Sequence, residues 1–382
     1  MRVLSAKRLR ERIKRSLRKQ GYRVRRTTVS LPPNATKDDY RSLNALAIAK
    51  KLAVSGPGVR RHEPRLLEFI ANGNEVEPDA VDPKVVLVRP KTEHELLFRY
   101  ACLHWSIPVS AGYGRRLRFL VLDKSNGKLI GLFGLGDPVY AMKARDDWIG
   151  WGREAKKERL YHVMDAYVLG AVPPYSSLLC GKLVAMLALS NEVRRAFRRK
   201  YRGHVSLISQ QVRPPHLALL TTTSALGRSS IYNRLRIDGF DYWQSVGFTS
   251  GWGDFHFSNG VYHDIRAYAE GHCDATAKHG AWGEGFRNKR EVVRKCLAEI
   301  GLSTNLQCHG IRREIFVAPL GGEALRFLRG EVNRPGRYDW PAAELAEAFK
   351  KRWLLPRADR KPEYREFRRE EYRLWPDQEG QQ

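Results

Sequence analysis

Long apolar segments are missing from this sequence. None of its apolar runs reaches the roughly 20 residues that a membrane-spanning helix needs. The N-terminus is rich in arginine and no apolar segment follows it, so the pattern of a secretory signal is also missing. We therefore expect a soluble, cytoplasmic protein with no membrane partner.

Cysteine pairs and familiar metal or nucleotide motifs are missing too. The five cysteines form no C-x-x-C pair, and their odd number favours free thiols in a reducing compartment. The sequence contains no P-loop, G-x-G-x-x-G or helicase motif, and it identifies no cofactor. Four potential zinc ligands lie close together in sequence: His263, His272, Cys273 and His279. Because their spacing matches no zinc motif, we predict no metal site.

Acidic residues are scarce relative to basic ones. The 382 residues include 41 Asp or Glu against 68 Lys or Arg, which gives a formal net charge of +27. A surface of this charge favours a polyanionic partner, and nucleic acid is the first candidate. We expect the partner to be DNA.

The basic excess is strongest in residues 1–26, which contain twelve Lys or Arg and one acidic residue. Leu9, Ile13 and Leu17 recur at the spacing of one helix face, so a basic amphipathic helix is predicted. Two compatible interpretations remain: a charged surface docked through its apolar stripe, and an arm that binds nucleic acid. The predicted phosphate contacts are Arg8, Arg10, Arg12, Lys14, Arg15, Arg18, Lys19, Arg25 and Arg26.

Composition and pattern divide the chain into three regions. Residues 1–85 are predicted to form a basic helical region, 86–260 an α+β core domain, and 261–382 a mostly helical region. The chain ends in a tail that alternates charged and aromatic residues, among them Tyr364, Phe367, Tyr372 and Trp375. Such a tail is typical of a solvated segment or a surface wrap, and base stacking is the alternative.

The middle region carries the pattern of a β-sheet. Apolar runs at 116–123 and 129–136 are joined by an Asn-Gly turn, which predicts a β-hairpin. Further strands are predicted in 160–172 and 217–225, with helical segments between them. We therefore predict an α+β fold in which helices flank a mixed central sheet.

The segment 172–190, VPPYSSLLCGKLVAMLALS, leads from a strand into an apolar helix. Two prolines stop the strand, and Ser176 or Ser177 is expected to cap the helix. Free amides and the helix dipole attract anions there, so Ser177, Gly181 and Lys182 are predicted to bind phosphate or pyrophosphate. In the alternative, Gly181 only permits close packing and Lys182 points to solvent.

Three polar residues are candidates for catalysis. Asp165 and Tyr167 lie on the strand that leads into this elbow, and we expect them to face the same crevice as Lys182. Ser224 follows a strand in TTTSALGRSS and is the candidate nucleophile. Buried ion pairs, turn caps and helix caps are the alternative roles for such residues.

The core resembles the GCN5-related acyltransferase fold in its strand order, its elbow and the later segment YWQSVGF. In that fold, a strand-ending loop opens a helix that holds the pyrophosphate of an acyl-coenzyme A. Leu178, Leu183 and Trp243 stand where the family pattern has Gln or Arg, a glycine and the general-acid tyrosine. The resemblance implies an enzyme that modifies nucleic acid or a cofactor-derived group, and the three departures favour a core without catalysis.

Four longer strings resemble the Druantia A protein (DruA) family, beginning with LRFLVLDKSNGKLIGLFGLG. They occupy residues 117–151, 159–194, 217–236 and 245–262. The resemblance implies bacterial anti-phage defence together with partner subunits that include a helicase-like protein. We therefore expect a nucleic-acid-binding component of such a system, with an acyltransferase-like enzyme as the alternative.

Overall fold

A computed structural model describes residues 3–32, 34–109, 114–205, 210–258, 260–276 and 285–375. The strands are β1 (Arg23–Val24), β2 (Val29–Ser30), β3 (Pro83–Leu87), β4 (Arg116–Asp123), β5 (Leu129–Gly136), β6 (Val163–Ala171), β7 (Leu219–Thr223), β8 (Arg236–Ile237), β9 (Phe240–Asp241), β10 (Gln244–Phe248) and β11 (Glu314–Pro319). The α-helices are α1 (Ala6–Lys19), α2 (Lys37–Ser55), α3 (Pro57–Arg60), α4 (Glu63–Leu67), α5 (Glu93–Leu103), α6 (Lys143–Ile149), α7 (Arg153–Arg159), α8 (Cys180–Leu187), α9 (Asn191–Tyr201), α10 (Val261–His272), α11 (Lys289–Glu299), α12 (Ala324–Arg329), α13 (Ala342–Phe349) and α14 (Leu355–Arg360).

Seven strands form one mixed sheet in the order β10-β11-β7-β6-β5-β4-β3. Its neighbouring strands are antiparallel except for β6 and β7, which run parallel. A parallel pair needs a crossover connection, and α8 and α9 lie within that connection. The predicted α+β fold with a mixed central sheet is confirmed.

The predicted Asn-Gly hairpin joins β4 to β5, which pair antiparallel along their length. The side chain of Asn126 accepts a hydrogen bond from the backbone N–H of Lys128 at 2.9 Å. Gly127 has a φ of 74°, a conformation that glycine adopts without the steric cost of a side chain. The hairpin predicted from the two apolar runs and the Asn-Gly turn is therefore confirmed.

Helices cover both faces of the sheet. On one face, α8, α9 and α13 contribute to a cluster that includes Met164, Leu183 and Phe197. On the other face, α5 packs through Leu97 in one cluster and α12 packs through Phe327 in a second. The main stabilising contribution to such a layered core is the burial of apolar surface on both faces of the sheet. Each Å² of buried apolar surface contributes about 25 cal/mol.

A further cluster docks α1 against α10 and α11. Leu9, Ile13 and Leu17 are at most 1% exposed, as the apolar stripe predicted. The cluster joins residues from 9–43 with residues from 257–311. The first stretch lies in the predicted region 1–85 and the second lies mostly in the predicted region 261–382, so the packing of the N-terminal helix crosses those boundaries.

The C-terminal tail wraps around the protein. Tyr364 and Tyr372 are buried, and the Tyr100 hydroxyl donates to the Tyr372 carbonyl oxygen at 2.8 Å. The Arg369 guanidinium lies 2.7 Å from a carboxylate oxygen of Glu75. Of the two predicted states, a solvated segment and a surface wrap, the structure shows the wrap, and the two buried rings are not available for base stacking.

We expect the substitution Gly73→Ala to loosen this tail. The N–H of Gly73 donates to the Phe367 carbonyl at 2.8 Å, and an added β-carbon would clash with the backbone of Tyr364 and Arg365. The variant should lose about 1–3 kcal/mol of stability, as overpacked sites do, measured by thermal or urea unfolding.

The control for this test is Gly271→Ala, because a β-carbon there meets nothing within 4 Å. Gly271 lies in α10, where alanine is the better helix former, so this variant should unfold at or above the wild-type temperature. Equal stability of the two variants would contradict the assigned role of Gly73.

Candidate functional site

In the elbow after β6, backbone N–H groups donate hydrogen bonds to carbonyl oxygens of the same segment. The N–H of Ser176 donates to Val172 at 2.8 Å, and the N–H of Ser177 donates to Pro174 at 3.0 Å. The helix α8 begins after Leu179, which has a φ of 61°, and no side chain caps it. The prediction that Ser176 or Ser177 caps this helix is therefore wrong, because a left-handed residue makes the turn instead.

Lys182 is buried and its ammonium group is satisfied by the backbone. Nζ donates to the carbonyl oxygens of Ile231 at 3.0 Å, Arg234 at 3.2 Å and Ser230 at 3.4 Å. Burial, together with the charges of Arg234 and Arg352, lowers the pKa of Lys182 to about 8. The side chain does not point to solvent, and it ties the segment 230–234 to the first turn of α8.

Gly181 lets that segment approach closely. A β-carbon at this position would lie 3.2 Å from Cδ1 of Ile231. The ring of Tyr232 is buried 5.3 Å from the ring of Trp243, whose Nε1 donates to the Ala185 carbonyl at 3.1 Å. The chain itself therefore fills the space beside the elbow, and the anion site at Ser177, Gly181 and Lys182 stays a prediction.

Asp165 lies on the opposite face of the sheet from α8. Its neighbours Met164 and Ala166 join the cluster that contains α8, whereas Asp165 accepts a hydrogen bond from the Thr221 hydroxyl at 2.8 Å. Burial raises the pKa of Asp165 to about 6, against the opposing effects of Thr221 and Arg145. The structure therefore does not bring Asp165 and Lys182 into one crevice.

A β-bulge in β6 places Tyr167. Gly134 pairs with Val168 and Leu135 pairs with Ala166, which leaves Tyr167 as the extra residue. Its ring packs over Gly134, and the Arg116 guanidinium lies 4.7 Å from the ring centroid. Burial raises the pKa of the Tyr167 hydroxyl. Bulges commonly redirect side chains near functional sites, but this one directs Tyr167 to the cluster around α5.

Ser224 belongs to the turn that follows β7. Its hydroxyl donates to the Gly227 carbonyl and accepts from the Glu314 N–H at 3.1 Å. In the parallel register Asp165 pairs with Thr221, so Ser224 lies three residues, or roughly 10 Å, further along the sheet. These contacts are those of a turn residue, and the catalytic roles of Asp165, Tyr167 and Ser224 stay predictions.

Glu314, which was not among the predicted site residues, is only 3% exposed. Its carboxylate accepts from the Asn233 side-chain amide at 2.9 Å, the Ser245 hydroxyl at 2.9 Å and the Ser229 N–H at 3.2 Å. One acidic side chain thus connects the loop after β7 to β10. A lone glutamate at the start of the apolar run EIFVAPL was the available signal.

The basic helix α1 presents most of its predicted contacts to solvent. Arg8, Arg12, Arg15, Arg18, Lys19, Arg25 and Arg26 are exposed, whereas Arg10 and Lys14 are half-buried. Arg12 forms an ion pair with Asp264 at 3.0 Å, and Lys14 lies 3.7 Å from Glu11. An open groove of about 670 Å³ is lined by Leu4, Ser5, Lys7, Arg8, Glu11, Arg12 and Arg15.

The described residues contain no cluster of histidine, cysteine and acidic side chains that could hold a metal ion. Among the histidines and cysteine considered for zinc, His279 lies outside the described part of the chain. Within that part, no helix is long and apolar enough to cross a bilayer.

Comparison with known proteins assigns the chain to a family. The model of the family described as Druantia protein DruA matches residues 34–330. The chain belongs to the DruA family. A DruA protein of Escherichia coli (strain UMEA 4076-1) is 40% identical over 358 residues, which cover 94% of this chain and 89% of that protein. No solved structure matches.

The DruA match covers the whole central sheet but not the basic helix. Residues 34–330 begin after α1, β1 and β2, and they end before α13. The elbow, Asp165 and Ser224 all lie within the matched range. The part of the chain with the highest density of positive charge therefore lies outside the range matched by the family model.

We expect Lys182→Ala to destabilise the protein, because it leaves three backbone carbonyls near α8 without their donor. The expected loss is about 1–3 kcal/mol, as for buried groups that lose a hydrogen-bond partner, measured by urea unfolding. The control is Lys157→Ala, since Lys157 is exposed on α7. A Lys182→Ala variant with wild-type stability and weakened pyrophosphate binding would support the anion site instead.

Proposed function

We propose that this chain is a nucleic-acid-binding component of a Druantia anti-phage defence system and acts together with partner subunits. Membership of the DruA family supports the defence setting. The observation that carries nucleic-acid binding is the docking of α1, which buries its apolar stripe and turns its cations outward.

The charge on α1 is poorly compensated within the protein. Arg8, Arg15 and Arg18 are exposed, and no described carboxylate lies within ion-pair distance of them. Exposed cations of this kind bind phosphates by releasing condensed counterions, which makes binding depend steeply on salt. The open groove beside Arg8 and Arg15 offers a surface along which a phosphate backbone could lie.

DNA is the proposed ligand of α1, and phosphate contacts give the proposed mode of binding. Fourteen helical residues extend about 21 Å at 1.5 Å per residue, a length that spans several phosphates of a duplex. Arginine and lysine side chains that reach phosphates position a protein without reading sequence. We therefore propose binding with little sequence preference.

We do not extend the proposal to catalysis. The parallel pair of β6 and β7 with the elbow between them is the feature that favours an acyltransferase-like core. Against it, the elbow amides and Lys182 have internal partners, and Ile231 and Tyr232 occupy the adjacent space. Asp165 and Ser224 are also too far apart to act on one atom.

The first test neutralises three exposed arginines of α1 in Arg8→Gln/Arg15→Gln/Arg18→Gln. We expect weaker binding to duplex DNA and a plot of log K against log salt that is shallower by about 0.9 per lost phosphate contact. Titrations of labelled DNA from low to physiological salt measure both quantities.

The matched control removes three cations elsewhere, in Arg60→Gln/Lys84→Gln/Arg153→Gln. These side chains are exposed and lie on α3, β3 and α7. The control should keep most of the wild-type affinity and slope. Equal losses in the two triple variants would assign binding to net charge alone and would contradict the role of α1.

The second test addresses the partners. The sequence contains no P-loop or helicase motif, so we propose that a helicase-like subunit supplies the motor activity. Expression of this chain alone in phage-challenged bacteria should give no protection, whereas expression with the complete set of Druantia subunits should protect. Protection by the lone chain would contradict the partner requirement.

A further inference from the structure

Four aromatic side chains form a cluster on the surface, which we call the aromatic platform: Phe240, Tyr242, Tyr338 and Trp340. The rings of Tyr338 and Trp340 are stacked with centroids 4.7 Å apart. Phe240 contacts the other three rings at centroid distances of 5.3 to 5.6 Å. Two segments about a hundred residues apart in sequence therefore build one aromatic surface.

The platform is open to solvent. Phe240 is 39% exposed at the start of β9, and the other three rings are half-buried. Exposed aromatic rings do not contribute the stabilising free energy that burial would give. Contiguous exposed apolar surfaces commonly mark interaction sites. The function proposed for α1 makes no use of this surface.

The backbone beneath the platform is held in place by α9. The N–H of Asn191 donates to the Trp340 carbonyl at 2.9 Å, and its side-chain amide donates to Asp339 at 2.7 Å. The Arg194 guanidinium donates to the Tyr338 carbonyl. Tyr338 and Trp340 are therefore ordered before any ligand binds, which lowers the entropy lost on binding.

An exposed cation is adjacent to the platform in sequence. Arg337 directly precedes Tyr338, and no described carboxylate lies within ion-pair distance of its guanidinium. Three acids lie near the platform: Asp238, Asp241 and Asp339. Asp339 is bonded to Asn191, and Asp241 lies 3.7 Å from Arg236.

We infer that the aromatic platform with Arg337 is a second nucleic-acid site, which binds single-stranded nucleic acid by stacking bases on its rings. Arginines that track the backbone beside aromatic rings that stack bases are the combination used by single-strand binding proteins. The inference rests on the proposed function, because it adds a ligand class to the same activity.

A single strand fits this surface better than a duplex does. The faces of bases are stacked inside a duplex and are free only in single strands, whereas phosphates are available in both. The basic helix α1 offers cations without an exposed ring cluster of this kind. We therefore expect the platform to prefer single strands and α1 to bind the phosphates of either form. One experiment can separate these two preferences.

The test compares single-stranded DNA with a duplex of the same sequence and length at physiological salt. In Phe240→Ala/Arg337→Gln we expect the affinity for the single strand to fall by roughly fivefold or more. The affinity for the duplex should stay at the wild-type value, because α1 is unchanged. Phe240→Tyr, which keeps an aromatic ring, should bind the single strand as the wild type does.

The matched control is Phe248→Ala/Arg312→Gln. Phe248 is 37% exposed, and the Arg312 guanidinium lies 5.4 Å from its ring centroid, so it is a similar pair at another place. It should keep its affinity for the single strand. Thermal unfolding of every variant shows whether a loss of affinity comes from a loss of fold.

Three results would each overturn the inference. The two double variants could lose the same affinity for the single strand, the platform variant could lose the same affinity for the single strand and the duplex, or its affinity for the single strand could stay unchanged. An unchanged single-strand affinity is also the result expected if the platform binds a protein. If the wild type binds the duplex through α1 but the platform variants behave as wild type, only this inference fails. If the wild type binds neither DNA, the proposed function fails as well.

Discussion

A buried ammonium group controls the arrangement of the central region. Lys182 has no carboxylate partner in the described structure, and a buried cation is tolerated only where other acceptors replace its water. Three carbonyls of the segment 230–234 fill that role. Once this segment is fixed, Tyr232 and Trp243 pack beneath it, and β10 follows directly to pair with β11. The elbow, the loop after β7 and the sheet edge therefore depend on one side chain.

Local patterns were enough to predict four strands of the central sheet and the basic helix. The Asn-Gly turn and its two flanking apolar runs determined the β4–β5 hairpin, and Leu9, Ile13 and Leu17 determined the buried face of α1. The partners of Lys182 were not predictable in this way, because they are carbonyls in a loop 48 to 52 residues away. Sequence pattern identifies side chains, whereas these acceptors are backbone atoms placed by the tertiary fold.

The candidate site was predicted less well for two physical reasons. The bulge at Tyr167 adds one residue to β6 and reverses which side chains face α8, and simple alternation does not reveal such a shift. The aromatic tail was predicted to be a solvated segment or a surface wrap, and long-range contacts make it a wrap. The Tyr100 hydroxyl donates to the Tyr372 carbonyl, and the Leu374 N–H donates to Glu63. Long-range burial of this kind has no local signature.

The docking of α1 also affects the free protein. The Gln20 side chain, at the end of the helix, donates to the His256 carbonyl at 2.9 Å, so the backbone positions that carry the cations of α1 are fixed by the fold. The folded state therefore includes their mutual repulsion, which an unfolded chain would relax by expanding. A polyanion bound as proposed would act as a counterion to this helix, and by mass action its binding would stabilise the native fold.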